Sequence, residues 1–152
     1  MKATFIITLL LISQCLQAQK IGAVDDSKKY IQDYYSGFTT GYDYDGNYVT
    51  LSDNYKVSFS DAIFTLTFDT YNKNNIQKQT ITINLKDVIS LEPSGSDSVE
   101  IYGNDPYIVP ICGKLAFATN KEVYEINSYY EVDADVEQSQ IFKAFAGLIN
   151  TL

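Results

Sequence analysis

VEQSQIFKAFAGLINTL, residues 136–152, carries the clearest periodicity in the chain. Ile141, Phe142, Phe145, Leu148, Ile149 and Leu152 recur at steps that keep them on one helical face. Glu137, Gln140, Lys143, Gly147 and Asn150 fall largely on the other. Asp135 with Gln138 three residues on resembles a capping box, and Asp133, Asp135 and Glu137 suit the positive end of a helix dipole. Burial is worth roughly 1.5–3 kcal/mol per large side chain, so this face has to pack against something. The nearest partner is what precedes it, and that reads as strands. Ile141, Phe142, Phe145, Leu148 and Ile149 are therefore expected to face a β-rich core.

Working back from the helix, EVYEINSYYEV (122–132) alternates as a strand. SVEIYG, YIVPIC and KLAFAT give three short apolar segments, separated by NDP and by Gly113. DVISLEP is a short strand closed by the Pro-Ser-Gly-Ser loop at 93–96. Before it lies a meander of about three strands. NYKVSFS alternates Tyr55, Val57 and Phe59; AIFTLTFDTY sets Phe64, Leu66 and Phe68 on one face; and IQKQTITINL turns Ile81, Ile83 and Leu85 inward. NKNN at 72–75 is a turn. Further back, Tyr30, Ile31, Tyr34, Tyr35 and Phe38 form a helical stripe, with Asp25, Asp26 or Ser27 as its N-cap. TTGYDYDGNY then reads as a turn-rich connector.

The first residues, MKATFIITLLLISQCLQAQK, read as a signal peptide: Lys2, an apolar run from Phe5 to Ile12, and Ala18 before the cut. The run is shorter than the ~20 residues a membrane span needs. Gln14 before Cys15 is a poor lipoprotein signal, so cleavage after Ala18 and export to the periplasm or beyond is expected. The expected organisation is residues 1–18 signal peptide, 19–46 N-terminal helix and tyrosine-rich connector, and 47–152 barrel with C-terminal helix.

The net charge is −8, every basic residue is Lys, and there is no His or Trp. Nucleic acid and anionic membrane surfaces are poor partners for such a chain, because both are bound through basic clusters. With Cys15 removed, Cys112 has no partner for an internal disulfide, and its apolar surroundings suit a small buried hydrophobe.

About seven antiparallel strands followed by one amphipathic helix is the order of the pleckstrin-homology-like superfold. SQIFKAFAGLI, VSFSDAIFTLTF and TITINLKDV resemble the corresponding parts of small secreted bacterial proteins of that architecture. The resemblance covers about residues 47–152. It implies a β-rich α+β fold, a partly open barrel capped by the C-terminal helix, with an additional N-terminal helix. It does not carry over phosphoinositide binding: FSDAIF, at the corresponding turn, holds Asp61 and no Lys or Arg, and the final helix lacks tryptophan.

No chemical motif is complete. YDYDGNY (42–48) offers carboxylates, but counting from Asp43 an EF-hand would need Gly and Glu where Tyr48 and Asn54 stand. With Cys15 removed, one cysteine and no histidine leave no zinc site. Glu100, Glu122, Glu125, Glu131 and Asp133 show no spacing that implies a shared cleft. No catalytic residue, metal or cofactor is therefore assigned. The tyrosines clustered between Tyr30 and Tyr55 are more informative, since tyrosine suits interfaces and sugar-stacking platforms while also filling half-buried strand positions. Tyr34, Tyr35, Phe38, Tyr42, Tyr44 and Tyr48 form the candidate interaction surface. The expected function is a non-catalytic exported binding module for a protein or peptide, or for a carbohydrate, acting through this segment or an exposed sheet edge. The competing reading is a lipocalin-like carrier of an apolar ligand, although the chain lacks the Gly-x-Trp of that family, and an enzyme, a carboxylate-based hydrolase, stands third.

Overall fold

The computed structural model describes residues 23–44, 47–72, 75–96, 111–130 and 140–152. The expected signal peptide at residues 1–18, residues 98–110 of the apolar segments, and the expected cap at Asp133 to Gln138 lie outside the described residues. Helix α1 spans 23–35. Seven strands follow: β1 (Thr40–Tyr44), β2 (Asn47–Ser60), β3 (Ile63–Asn72), β4 (Asn75–Asn84), β5 (Val88–Ser96), β6 (Ile111–Thr119) and β7 (Val123–Tyr130). Helix α2 (Gln140–Thr151) closes the chain.

The strands form two antiparallel meanders, β1-β2-β3-β4 and β5-β6-β7. Among the described residues no strand pairing joins the two sheets, so they make no closed barrel. The β3–β4 ladder runs unbroken through ten residue pairs, Ile63↔Asn84 to Asn72↔Asn75. It sets Phe64, Leu66 and Ile83 on the buried face and Thr65, Thr67, Thr80 and Thr82 on the other.

One core serves both sheets and both helices. Ile31 and Tyr35 of α1, Tyr55 of β2, Phe64 and Leu66 of β3, Leu115 and Phe117 of β6, and Ile126 of β7 belong to one buried cluster with Ile141, Phe145 and Leu148. Phe145 is the wedge. Its ring meets Phe64 edge-on at 5.2 Å and Phe117 edge-on at 5.0 Å, so a single α2 side chain touches each sheet. Phe142, Ile149 and Leu152 pack half-buried at the margin, while Gln140, Lys143, Gly147 and Asn150 face out, as the periodicity of α2 predicts.

Several local expectations are corrected. Residues 23–35 are helical, so Asp25, Asp26 and Ser27 lie within α1 and are not N-caps. The connector is a hairpin: Tyr44 pairs with Asn47, and Asp45-Gly46 falls between them. Strand pairing thus runs across position 46, and α1 shares the core of the sheets. Pro93 to Ser96 do not close β5 but continue it, with Pro93 opposite Leu115 and Ser96 opposite Gly113. A proline fits there because β5 is an edge strand, where one side of the backbone needs no donor. Gly113 does not separate two segments; it lies buried inside β6, between Ser96 and Ser128.

Candidate functional site

The six aromatic residues expected to form a surface have different fates. Tyr35 is fully buried and Phe38 is 4% exposed, so both are core residues and not surface ones. Tyr34 is half-buried against the same core, its ring edge-on to Tyr35 at 5.0 Å. The side chains of Tyr42, Tyr44 and Tyr48, and with them the carboxylates of 42–48, lie outside the described residues, as does that of Cys112. The physical reason for the correction is the hydroxyl. Both Tyr34 and Tyr35 can be buried because their polar tips find partners on β7: Tyr35 donates to the Asn127 carbonyl at 2.7 Å, and the Tyr34 and Ser128 hydroxyls lie 3.5 Å apart.

Asn127 opens a longer polar chain that sequence reading missed. Its side-chain amide donates to the Tyr55 hydroxyl at 3.2 Å, which lies 2.6 Å from the Ser52 hydroxyl, which in turn bonds Thr40. A bulge in β2 makes this possible. Asp53 pairs with Asp69 and Lys56 with Thr67, so two β2 residues oppose Phe68 alone. Asn54 absorbs the irregularity at φ 55°. The extra residue shifts the alternation, so that Ser52 and Tyr55, three apart, both point inward. Tyr55 then stacks on Phe68 with centroids 4.7 Å apart. The signal for this was the run Ser-Asp-Asn before Tyr55, which tolerates a left-handed residue inside a strand. The network joins hydroxyls and an amide, groups suited to anchoring α1, β2 and β7 and not to moving protons near neutral pH.

The edges of the sheets differ in how they are protected. Strand β1 has five residues and a register shift at Thr40/Gly41. Strand β5 carries Pro93 and two register shifts, at Val88/Ser90 and Ser94/Ser96. Strand β7 is engaged by α1 at Asn127, whose carbonyl accepts from Tyr35, and at Ser128, beside the Tyr34 hydroxyl. Strand β4 has ten residues with no proline, no glycine and no register shift. Short, bulged, proline-bearing, charged or covered edges are the usual means of preventing strand addition, and among the described residues β4 carries only the single charge of Lys78.

Charged groups are paired locally. Tyr71 donates to Asp53 at 2.7 Å, and Asn54 donates to Asp69 at 3.0 Å. The hydrogen bond to Asp53 raises the Tyr71 pKa, helped by burial and by the Asp53 and Asp69 charges. Tyr124 is raised in the same way, first by its bond to Glu122. Glu125 is lowered, first by the Ser94 hydroxyl and then by Lys114, 3.5 Å away. Glu122 and Glu125 are thus engaged with near neighbours, while Glu100, Glu131 and Asp133 lie outside the described residues. Lys28 from α1 donates to the Asp61 carbonyl at 3.1 Å, and Lys86 lies 3.7 Å from the Asp61 carboxylate. The β2–β3 turn, which holds no basic residue of its own, therefore has two lysines brought to it by the fold. Among the described residues no group of three or more His, Cys, Asp or Glu side chains could hold a metal ion, and no helix is long and apolar enough to cross a membrane. Comparison with family models, with curated proteins and with solved structures finds no match for this chain.

Proposed function

We propose that this chain is an exported, non-catalytic binding module that takes up an extended segment of another polypeptide along β4. The observation that carries the reading is the contrast among the four edges: among the described residues β1 is short and shifted, β5 is broken by a proline and two shifts, β7 is bonded by α1 at Asn127, and β4, the longest, has a regular ladder and no partner on its free side. Strand addition supplies affinity through main-chain hydrogen bonds and specificity through alternate side chains, which a ten-residue regular edge can offer. Export rests on the pattern of residues 1–18. The order of four-strand meander, three-strand meander and final helix supports a pleckstrin-homology-like scaffold, with α1 as an addition to it.

The carrier reading has less support. A hollow interior is at odds with Phe145 filling the space between Phe64 and Phe117. Sugar stacking needs exposed rings, and Tyr35 and Phe38 have none to offer. The test is a titration of the isotopically labelled protein with peptides selected on it, followed through backbone amide shifts. Shifts concentrated on Asn75–Asn84 are expected; shifts confined to the β1–β2 hairpin or to the buried cluster would contradict the proposal.

A further inference from the structure

The four edge strands differ in charge as well as in protection. Strand β1 carries Asp43, β5 carries Glu92 and β7 carries Glu125, and none of the three has a basic residue. Strand β4 carries Lys78 and no acid. In a chain of net charge −8, this is the one edge where a second acidic strand meets no carboxylate of the edge strand itself. Lys78 is exposed and stands opposite Asp69 on the outward face of the sheet, in a row with Ile76, Thr80 and Thr82. A strand added beyond β4 sets its own outward side chains beside this row, at cross-strand distances of about 4.5–5.5 Å.

We infer that the segment bound by β4 carries a carboxylate, placed beside Lys78, with an apolar residue beside Ile76 and β-branched residues beside Thr80 and Thr82. The inference rests on the β4 reading of function and adds the chemistry of the partner. A second copy of the chain fits less well, because β4 has no acid to set against the Lys78 of its twin.

The experiment uses three short synthetic peptides that alternate serine with valine and threonine and differ at one outward position, occupied by Glu, Gln or Lys. Each is titrated into the native protein and into Lys78→Glu and Lys78→Gln variants, with affinities and β4 amide shifts read together. The native protein is expected to prefer Glu over Gln and Gln over Lys by about 1.5- to 5-fold per step, the range of cross-strand charge pairs. Lys78→Glu is expected to invert the order and Lys78→Gln to flatten it, and added salt to compress every ratio. Equal affinities on all three proteins, with β4 amides still shifting, overturn the carboxylate and leave the β4 reading standing. The same holds if the Glu peptide is preferred equally by all three. If no peptide moves the β4 amides, the β4 reading itself falls, and this inference with it.

Discussion

Tyr55 depends on a backbone irregularity one residue away. Its ring stacks on Phe68 and its hydroxyl takes the Asn127 amide because the bulge at Asn54 turns it inward beside Ser52. Tyr55→Phe keeps the stacking and leaves the Asn127 amide without that acceptor. It is expected to cost about 1–3 kcal/mol, read as a lowered urea midpoint at unchanged slope. Tyr34→Phe, at a longer bond and with its ring half-buried, is expected to cost less. Tyr71 and Tyr124 provide a test of pH dependence. Hydrogen bonds to Asp53 and Glu122 raise their pKa values above the ordinary 10.0, so the stability they contribute is present below that value and lost as pH climbs through the folded-state one. As pH climbs past 10.0 the melting temperature should fall, and the Tyr71→Phe, Tyr124→Phe double variant should fall less steeply than the native protein.

Helix α2 was legible at the level of the element, because a period of 3.6 with Ile141, Phe145 and Leu148 in phase has a single buried face. Phe145→Ala should cost about 3–5 kcal/mol, since the ring spans two sheets and its loss leaves a cavity between them. Gly147 lies on the exposed face, and a Cβ there would meet only the Ser27 hydroxyl, at 3.9 Å. Gly147→Ala should therefore raise stability by about 0.5–1 kcal/mol in the same denaturant series. The period-2 strands were legible for the same reason as α2, with Phe64, Leu66 and Ile83 buried where alternation places them. Three features were not. Pro93 and Gly113 read as interruptions because local propensity carries no information on which strands lie at an edge and which in the middle. The hairpin at 40–50 read as a turn-rich connector because Gly41, Asp43, Asp45, Gly46 and Asn47 are all turn formers. The burial of Tyr35 and Phe38 was hidden because a tyrosine's exposure depends on where its hydroxyl finds a partner, here a carbonyl ninety-two residues away on β7.

Across the described residues, the two sheets and two helices share one core, and the sheet edges differ in how they are protected. Unequal protection is a property of the assembled fold. The proline of β5 is visible in the sequence, whereas the bond to β7 at Asn127 comes from a helix about ninety residues away, and the bareness of β4 among the described residues is known only once the other three edges are described. The partner proposed for this molecule depends on that bareness. Amide hydrogen exchange on the native protein tests it most directly. Alternate amides of Asn75–Asn84, those turned away from β3, are expected to exchange as fast as exposed amides, while those turned toward β3 and those of β7 beside Tyr35 exchange slowly. Uniformly slow exchange along the whole of β4 would mean that this edge is already covered, and would contradict the account.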